Sequence, residues 1–304
     1  MALISIIIYK LDMSTFRNFT LFLLSLPLVF AAGDLCAQTK LAYNSVSQAE
    51  NLKPQDLTPT YSKFLPYHQV CGMVVCQSDK PLDEIKTIID EISLLQIDLK
   101  KYLAIPPANE KIELCIFSSE KAYLNFLDKV FPNAPTDRRA LYVKKEGPGV
   151  VLIQKTKDFE VDLRHEMTHA ILHASVANVP IWLDEGLAKY FEPKPQDRAF
   201  RNPYLSKVKW NCRFGKVPSL ERLEKLRGIE DMEDLEYRES WAWVHFMIHD
   251  SPETHNLLAG YIRLIAEHPA ETNRPLPKLL PYLRKTIPEF IPEFKRHYRN
   301  WVEK

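Results

Sequence analysis

The sequence predicts an α+β fold in which a mixed α/β half is followed by a mostly helical half. Three observations lead there. Apolar runs of strand length occur at Ile112–Phe117, Ala140–Val143 and 150–153, with the turn-forming residues Gly147, Pro148 and Gly149 separating the last two. Other apolar residues recur at helical spacing, as in Ile85, Ile88, Ile89, Ile92, Leu95 and Ile97. Beyond Pro193 only helical patterns remain.

Residues 1–37 stand apart. Two apolar runs, 2–8 and 21–32, with Arg17 ahead of the second and the small residues Ala31, Ala32 and Gly33 at its end, predict a removable signal peptide. Met13 is an alternative start. The second run is shorter than the ~20 residues of a spanning helix, and an N-terminal membrane anchor is the alternative reading. The chain is therefore expected to be exported to the periplasm or the extracellular space, with no stable membrane insertion once the signal is removed. Gly33-Asp34-Leu35 ahead of Cys36 makes a poor lipoprotein box.

The stretch 38–66, interrupted by Pro54, Pro59 and Pro66, reads as a loosely packed lead-in. A mixed lobe over 67–192 follows. It holds a strand over 70–76, a helix over 82–103, the strand Ile112–Phe117 and a helix capped by Ser118-Ser119-Glu120 that reaches Val130. Strands at Ala140–Val143 and 150–153 come next, then helices over 158–174 and Ile181–Phe191. A helical lobe over 193–304 has helices at 219–226, 240–248, 254–266 and 290–302. Residues 193–218 read as loops around a substrate, and the basic stretch 278–304 as a solvated helical face.

Export would place Cys71, Cys76, Cys115 and Cys212 where disulfides persist, with three pairings open. In an extended strand Cys71 and Cys76 would lie roughly 17 Å apart, so they bond each other only if Gly72 turns the chain.

Composition narrows the partners. The chain has 304 residues, 46% hydrophobic, with 40 Lys+Arg against 39 Asp+Glu, which excludes wholesale disorder. A net charge of +1 argues against wrapping nucleic acid or lying on an anionic membrane, both of which draw on a basic surplus. Eight glycines against 22 prolines fit neither collagen nor a glycine-rich phosphate cradle.

The chemistry concentrates at the join of the two halves. Residues 165–169 spell His-Glu-Met-Thr-His. On a helix His165 and His169, four apart, share one face and can offer ring nitrogens to one cation. Glu166, rotated by about 100° from the first histidine, can address a water instead. Fifteen residues beyond His169, Glu185 sits in Trp182-Leu183-Asp184-Glu185-Gly186-Leu187-Ala188. A carboxylate among apolar side chains is rarely left unpaired, and ligation by His165, His169 and Glu185 leaves the fourth position open, as a catalytic zinc requires.

These two segments resemble the active-site core of the gluzincin zinc metallopeptidases, most closely the peptidase MA-like domains of bacterial exported proteins. The likeness is strong over 161–192 and weaker over 112–247. It implies a zincin-like fold and a Zn²⁺ site of His165, His169 and Glu185, with Glu166 as general base and a peptide or protein as substrate. A metzincin is disfavoured, because Leu172 and Ser175 stand where that pattern needs glycine and histidine. Tyr237-Arg238-Glu239-Ser240-Trp241-Ala242 is similar to the helix start that carries an oxyanion-stabilising tyrosine in aminopeptidase-like gluzincins, and by that resemblance Tyr237 takes the role. The aminopeptidases' motif for an N-terminal amine is not visible.

Plainer readings stand beside these. The histidines can be incidental to a surface helix, and Glu185 can pair with Lys189 one turn on. His173 can be a fourth ligand, a supporting histidine or a surface one. Asp184 either holds a ligand histidine or solvates its helix. His245 and His249 read as packing or surface residues, and Trp182, Trp241 and Trp243 as core. A non-catalytic zinc-binding envelope protein and a zinc hydrolase of non-protein amides are the rival functions. Glu166 argues against the first, since a structural site has no use for a general base. Oligomeric state is not readable.

Overall fold

A computed structural model of the protein describes residues 57–81, 85–108, 110–144, 147–268 and 275–302. The expected signal segment 1–37, the alternative start at Met13 and most of the lead-in lie outside the described residues. The elements run β1 (Tyr67–Cys71), β2 (Val74–Ser78), α1 (Ile85–Leu103), β3 (Ile112–Phe117), α2 (Glu120–Val130), β4 (Ala140–Val143), β5 (Gly149–Gln154), α3 (Phe159–His173) and α4 (Ile181–Phe191). Then come α5 (Leu205–Arg213), α6 (Leu220–Leu223), α7 (Asp234–His249), α8 (Pro252–Ala266), α9 (Leu279–Thr286) and α10 (Phe290–Asn300). The architecture is mixed α+β, with a small mixed sheet and a helical C-terminal part.

The strands lie in the order β1-β2-β3-β5-β4, with β2, β3 and β5 parallel and the edge strands β1 and β4 antiparallel to their neighbours. Both faces are covered, which is why β3, β4 and β5 are nearly unbroken apolar runs. Period-2 alternation sends Ile112, Leu114, Ile116, Val151 and Ile153 to one face, against Ile88, Ile92, Leu95 and Leu99 of α1 and against α3. Cys115, Phe117, Val150 and Leu152 point to the other, against Tyr123, Phe126 and Leu127 of α2. The first core continues without a break into the C-terminal helices as far as Phe294 and Tyr298.

Several elements depart from their sequence reading. The single strand expected over 70–76 is a tight hairpin, because Gly72 takes a φ of +58° and a two-residue turn pairs Cys71 with Val74. The turn does not produce a disulfide; Cys71, Cys76, Cys115 and Cys212 are all buried free thiols. The end of the lead-in packs, with Leu65 buried and the Tyr61 ring edge-on to Phe126 at 5.3 Å. Helix α7 begins six residues before the expected 240, since Glu233 and Glu236 form a reciprocal capping box. The helix expected over 219–226 is one turn, and α5 and α9 occupy stretches read as loop and solvated face. Nor is α10 merely solvated, since it buries Phe290, Phe294, His297 and Tyr298. Among the described residues no helix is long and apolar enough to cross a membrane.

Candidate metal centre

Helix α3 is buried almost all round, although it carries Arg164, His165, Glu166, Thr168, His169 and His173. Such a helix is stable only if each polar group finds a partner. Arg164 reaches two ways, to Glu91 on α1 at 2.8 Å and to the Glu192 carbonyl at 2.6 Å. Thr168 Oγ1 donates back to the Arg164 carbonyl at 2.7 Å. At the start of the helix Arg139 spans Asp158 and Asp162 at 2.6 and 3.0 Å.

Helix α4 lies beside α3 and is closed over by α7. Gly186 permits that approach: a Cβ there would stand 2.8 Å from the Ser240 carbonyl oxygen. The packing aims His165, His169 and Glu185 at one point. His165 Nε2 and His169 Nε2 are 3.3 Å apart, and Glu185 Oε2 lies 3.7 and 4.0 Å from them. Their ligand atoms all fall within 4.8 Å of one another.

Each ring is held from behind by a carboxylate. His165 Nδ1 meets Glu192 Oε2 at 3.0 Å and His169 Nδ1 meets Asp184 Oδ1 at 2.8 Å. Asp184 Oδ2 also meets His173 Nε2 at 2.8 Å, and the His173 ring stacks on Tyr142. Glu192 is in turn paired with Lys189 at 3.0 Å. With each Nδ1 proton directed to a carboxylate, both Nε2 atoms present lone pairs to each other.

This donor set fits a zinc ion. Two ligands at about 2.0–2.1 Å on tetrahedral directions are about 3.4 Å apart, the spacing that His165 and His169 show. The carboxylate oxygens of Glu185 and Glu166 are buried without a well-formed hydrogen bond, the situation a cation relieves. Burial also tunes the groups. It lowers His165 to about 4, so the ring is neutral as a ligand must be. It raises Glu166 to about 8, assisted by Asp162 and opposed by the Tyr142 backbone. Burial raises Glu185 well above the carboxylate range, with Asp184 adding to the effect. Asp184 and Glu192 go the other way. Burial opposes their ionisation, but His169 and His173 hold Asp184 far down, and Lys189 with His165 holds Glu192 down to about 2.

The arrangement brings together His165, His169 and Glu185, with Glu166 next to the first of them on α3, and places Tyr237 on α7 with its ring 5.8 Å from Lys189 Nζ. Lys189 pairs with Glu192, not with Glu185 as the plainer reading had it. His173 supports Asp184 instead of joining the ligands. His245 is buried and His249 bonds Tyr190 at 2.7 Å, while Trp182, Trp241 and Trp243 are core. Glu192 escaped sequence reading, although it lies seven residues past Glu185 on the same helical face. His165, Glu166, His169 and Glu185 are each at most 2% exposed, because β4, β5, α1 and α4 enclose α3.

No protein-family model and no curated protein matches the chain. Among solved structures it is similar to the crystal structure of an M1 zinc metallopeptidase from Deinococcus radiodurans, at 16% identity and a TM-score of 0.43, over 78% of this chain and 52% of that one. The chain spans about half the length of that structure, and so slight a likeness carries no argument about activity.

Proposed function

We propose that the protein is an exported, zinc-dependent metallopeptidase of the gluzincin type with a zincin-like fold. The observation that carries this reading is the convergence of two histidine Nε2 lone pairs and the buried carboxylate of Glu185, with a second buried carboxylate, Glu166, beside them. His165, His169 and Glu185 hold Zn²⁺, while Asp184 and Glu192 fix the two rings. Bound zinc supplies the Lewis acidity that makes water a nucleophile near neutral pH and polarises a scissile carbonyl. Glu166, made more basic by burial, takes a proton from the attacking water at its carboxylate and passes it to the leaving amide nitrogen. Tyr237 donates a hydrogen bond to the oxyanion. Export rests on the segment 1–37.

The enclosure of all four residues favours a second reading, in which the zinc is bound without catalysis by an envelope protein of the same fold. Metal analysis of the purified protein together with hydrolysis of a mixed peptide library, for wild type and Glu166→Gln, decides between them. One zinc per chain in both proteins, with cleavage by wild type alone, supports the peptidase. Zinc in both with cleavage by neither supports the structural site or a non-protein amide substrate. Absence of zinc from wild type overturns both.

A further inference from the structure

The even charge balance of the whole chain conceals a local imbalance. Residues 202–220 hold Lys207, Lys209, Arg213 and Lys216 and no Asp or Glu. Helix α5 in this stretch buries Leu205, Val208 and Cys212 and turns its opposite face outward. On that face Trp210 and Phe214 are 56% and 64% exposed, their rings 4.8 Å apart. Two large aromatics side by side in water are costly unless they meet something.

Helix α10 lies alongside. Lys209 Nζ donates to the Trp301 carbonyl at 2.6 Å and Arg299 Nη2 to the Cys212 carbonyl at 3.2 Å, which ties the two helices together. The charged groups felt by the Cys212 thiol are Arg299 and Lys295. A shallow hollow of about 500 Å³ on α10 is lined by Pro292, Lys295, Arg296, Arg299 and Asn300, with no acid among the lining residues. The acid on this helix is Glu293, 3.7 Å from Arg296.

We propose that the α5–α10 face is a peripheral docking surface for an anionic lipid bilayer. Trp210 and Phe214 enter the headgroup region, where aromatic rings partition, and Lys207, Arg213, Lys216 and the α10 hollow meet lipid phosphates. The geometry disfavours other occupants. A symmetric contact with a second copy would set these cations against themselves. The two rings are tilted at 53° to each other and so do not form the parallel platform on which successive nucleic-acid bases stack. Overall neutrality is no obstacle, because attraction to a surface falls off within a Debye length and reads only the nearest charges. The surface is separate from the metal centre, so either proposal can fail alone.

The test uses the full chain with vesicles of phosphatidylcholine alone and of equal parts phosphatidylcholine and phosphatidylglycerol. Co-sedimentation should favour the anionic vesicles and fall steeply with salt. Trp210, the exposed one of five tryptophans, should shift its emission to the blue and be quenched by brominated acyl chains. The pair Trp210→Ser/Phe214→Ser should abolish the shift, and Lys207→Glu/Arg213→Glu should weaken binding at least about tenfold. Unchanged thermal melting of these surface variants shows that folding is intact. Equal binding to both vesicle types, or variants that bind like wild type through residues 1–37, would overturn the proposal. So would a Trp210 already shielded from acrylamide without vesicles, or binding of duplex DNA in place of vesicles.

Discussion

His165 and His169 face each other through Nε2 across 3.3 Å while Glu192 and Asp184 hold their Nδ1 atoms. Neither ring can turn its lone pair away without giving up a buried hydrogen bond to a carboxylate. The supporting carboxylates should therefore govern metal affinity without touching the metal. Glu192→Gln and Asp184→Asn should each weaken zinc binding by about 10–100-fold, measured by competition with a chromophoric chelator. Affinity equal to wild type in both would contradict the assignment.

Lys189 and Glu192 form an ion pair at 3.0 Å with side chains 12% and 15% exposed, in which the opposed carboxylate keeps the ammonium charged against the cost of partial burial. Removing one partner leaves the other uncompensated. Lys189→Met should destabilise the metal-free protein by about 1–3 kcal/mol, and Lys189→Met with Glu192→Gln by less than the single change. Urea denaturation of the four proteins of this cycle measures it, and additive losses would show that the pair is not coupled.

Gly186→Ala tests the approach of α4 and α7. Helix propensity alone would make alanine stabilising by about 1 kcal/mol. The new Cβ meets the Ser240 carbonyl at 2.8 Å, a backbone atom that cannot swing aside, so the net effect should be a loss of about 1–3 kcal/mol in chemical denaturation.

His249 supplies a pH dependence outside the metal centre. Burial lowers its pKa from 6.5 to about 4, with His297 and His255 contributing. The unfolded chain therefore takes up the proton first, and stability is lost as pH falls from 6.5 towards 4. The loss reaches at most about 3 kcal/mol. Thermal melting in the presence of a chelator should fall across this window in wild type and fall less in His249→Gln; identical slopes would remove His249 from the account.

Phe294 sits 4.7 Å from the Trp243 ring and is fully buried. Phe294→Ala should cost about 3–5 kcal/mol by denaturant titration, a loss that a merely solvated C-terminal helix would not show.

What could be read from the sequence was mainly what is local. His165 and His169 declare themselves because four residues make one helical turn, and Glu185 because a carboxylate among apolar neighbours demands a partner. Glu192 carried a signal of the same kind, three residues past Lys189 on the face of Glu185, but Lys189 stands equally within reach of Glu185 four residues earlier. The β1–β2 hairpin was hidden inside a continuous apolar run, since Gly72 is its one turn residue. Helix α5 offers a thin stripe of Leu205, Val208 and Cys212 among cations, and α10 spaces Phe290, Phe294 and Tyr298 between charges. Enclosure of the histidines is a tertiary fact with no local trace.

Asp184 and Glu185 are neighbours on α4, yet one grips the back of His169 while the other faces the front of the histidine pair. Sliding or turning α4 against α3 would break both relationships at once. Assembly of the centre therefore waits on the docking of one helix against another, however early either helix forms. Slow release of the ion to a chelator would then clock how often these two helices part, and metal loss and local unfolding would be one event seen with two probes.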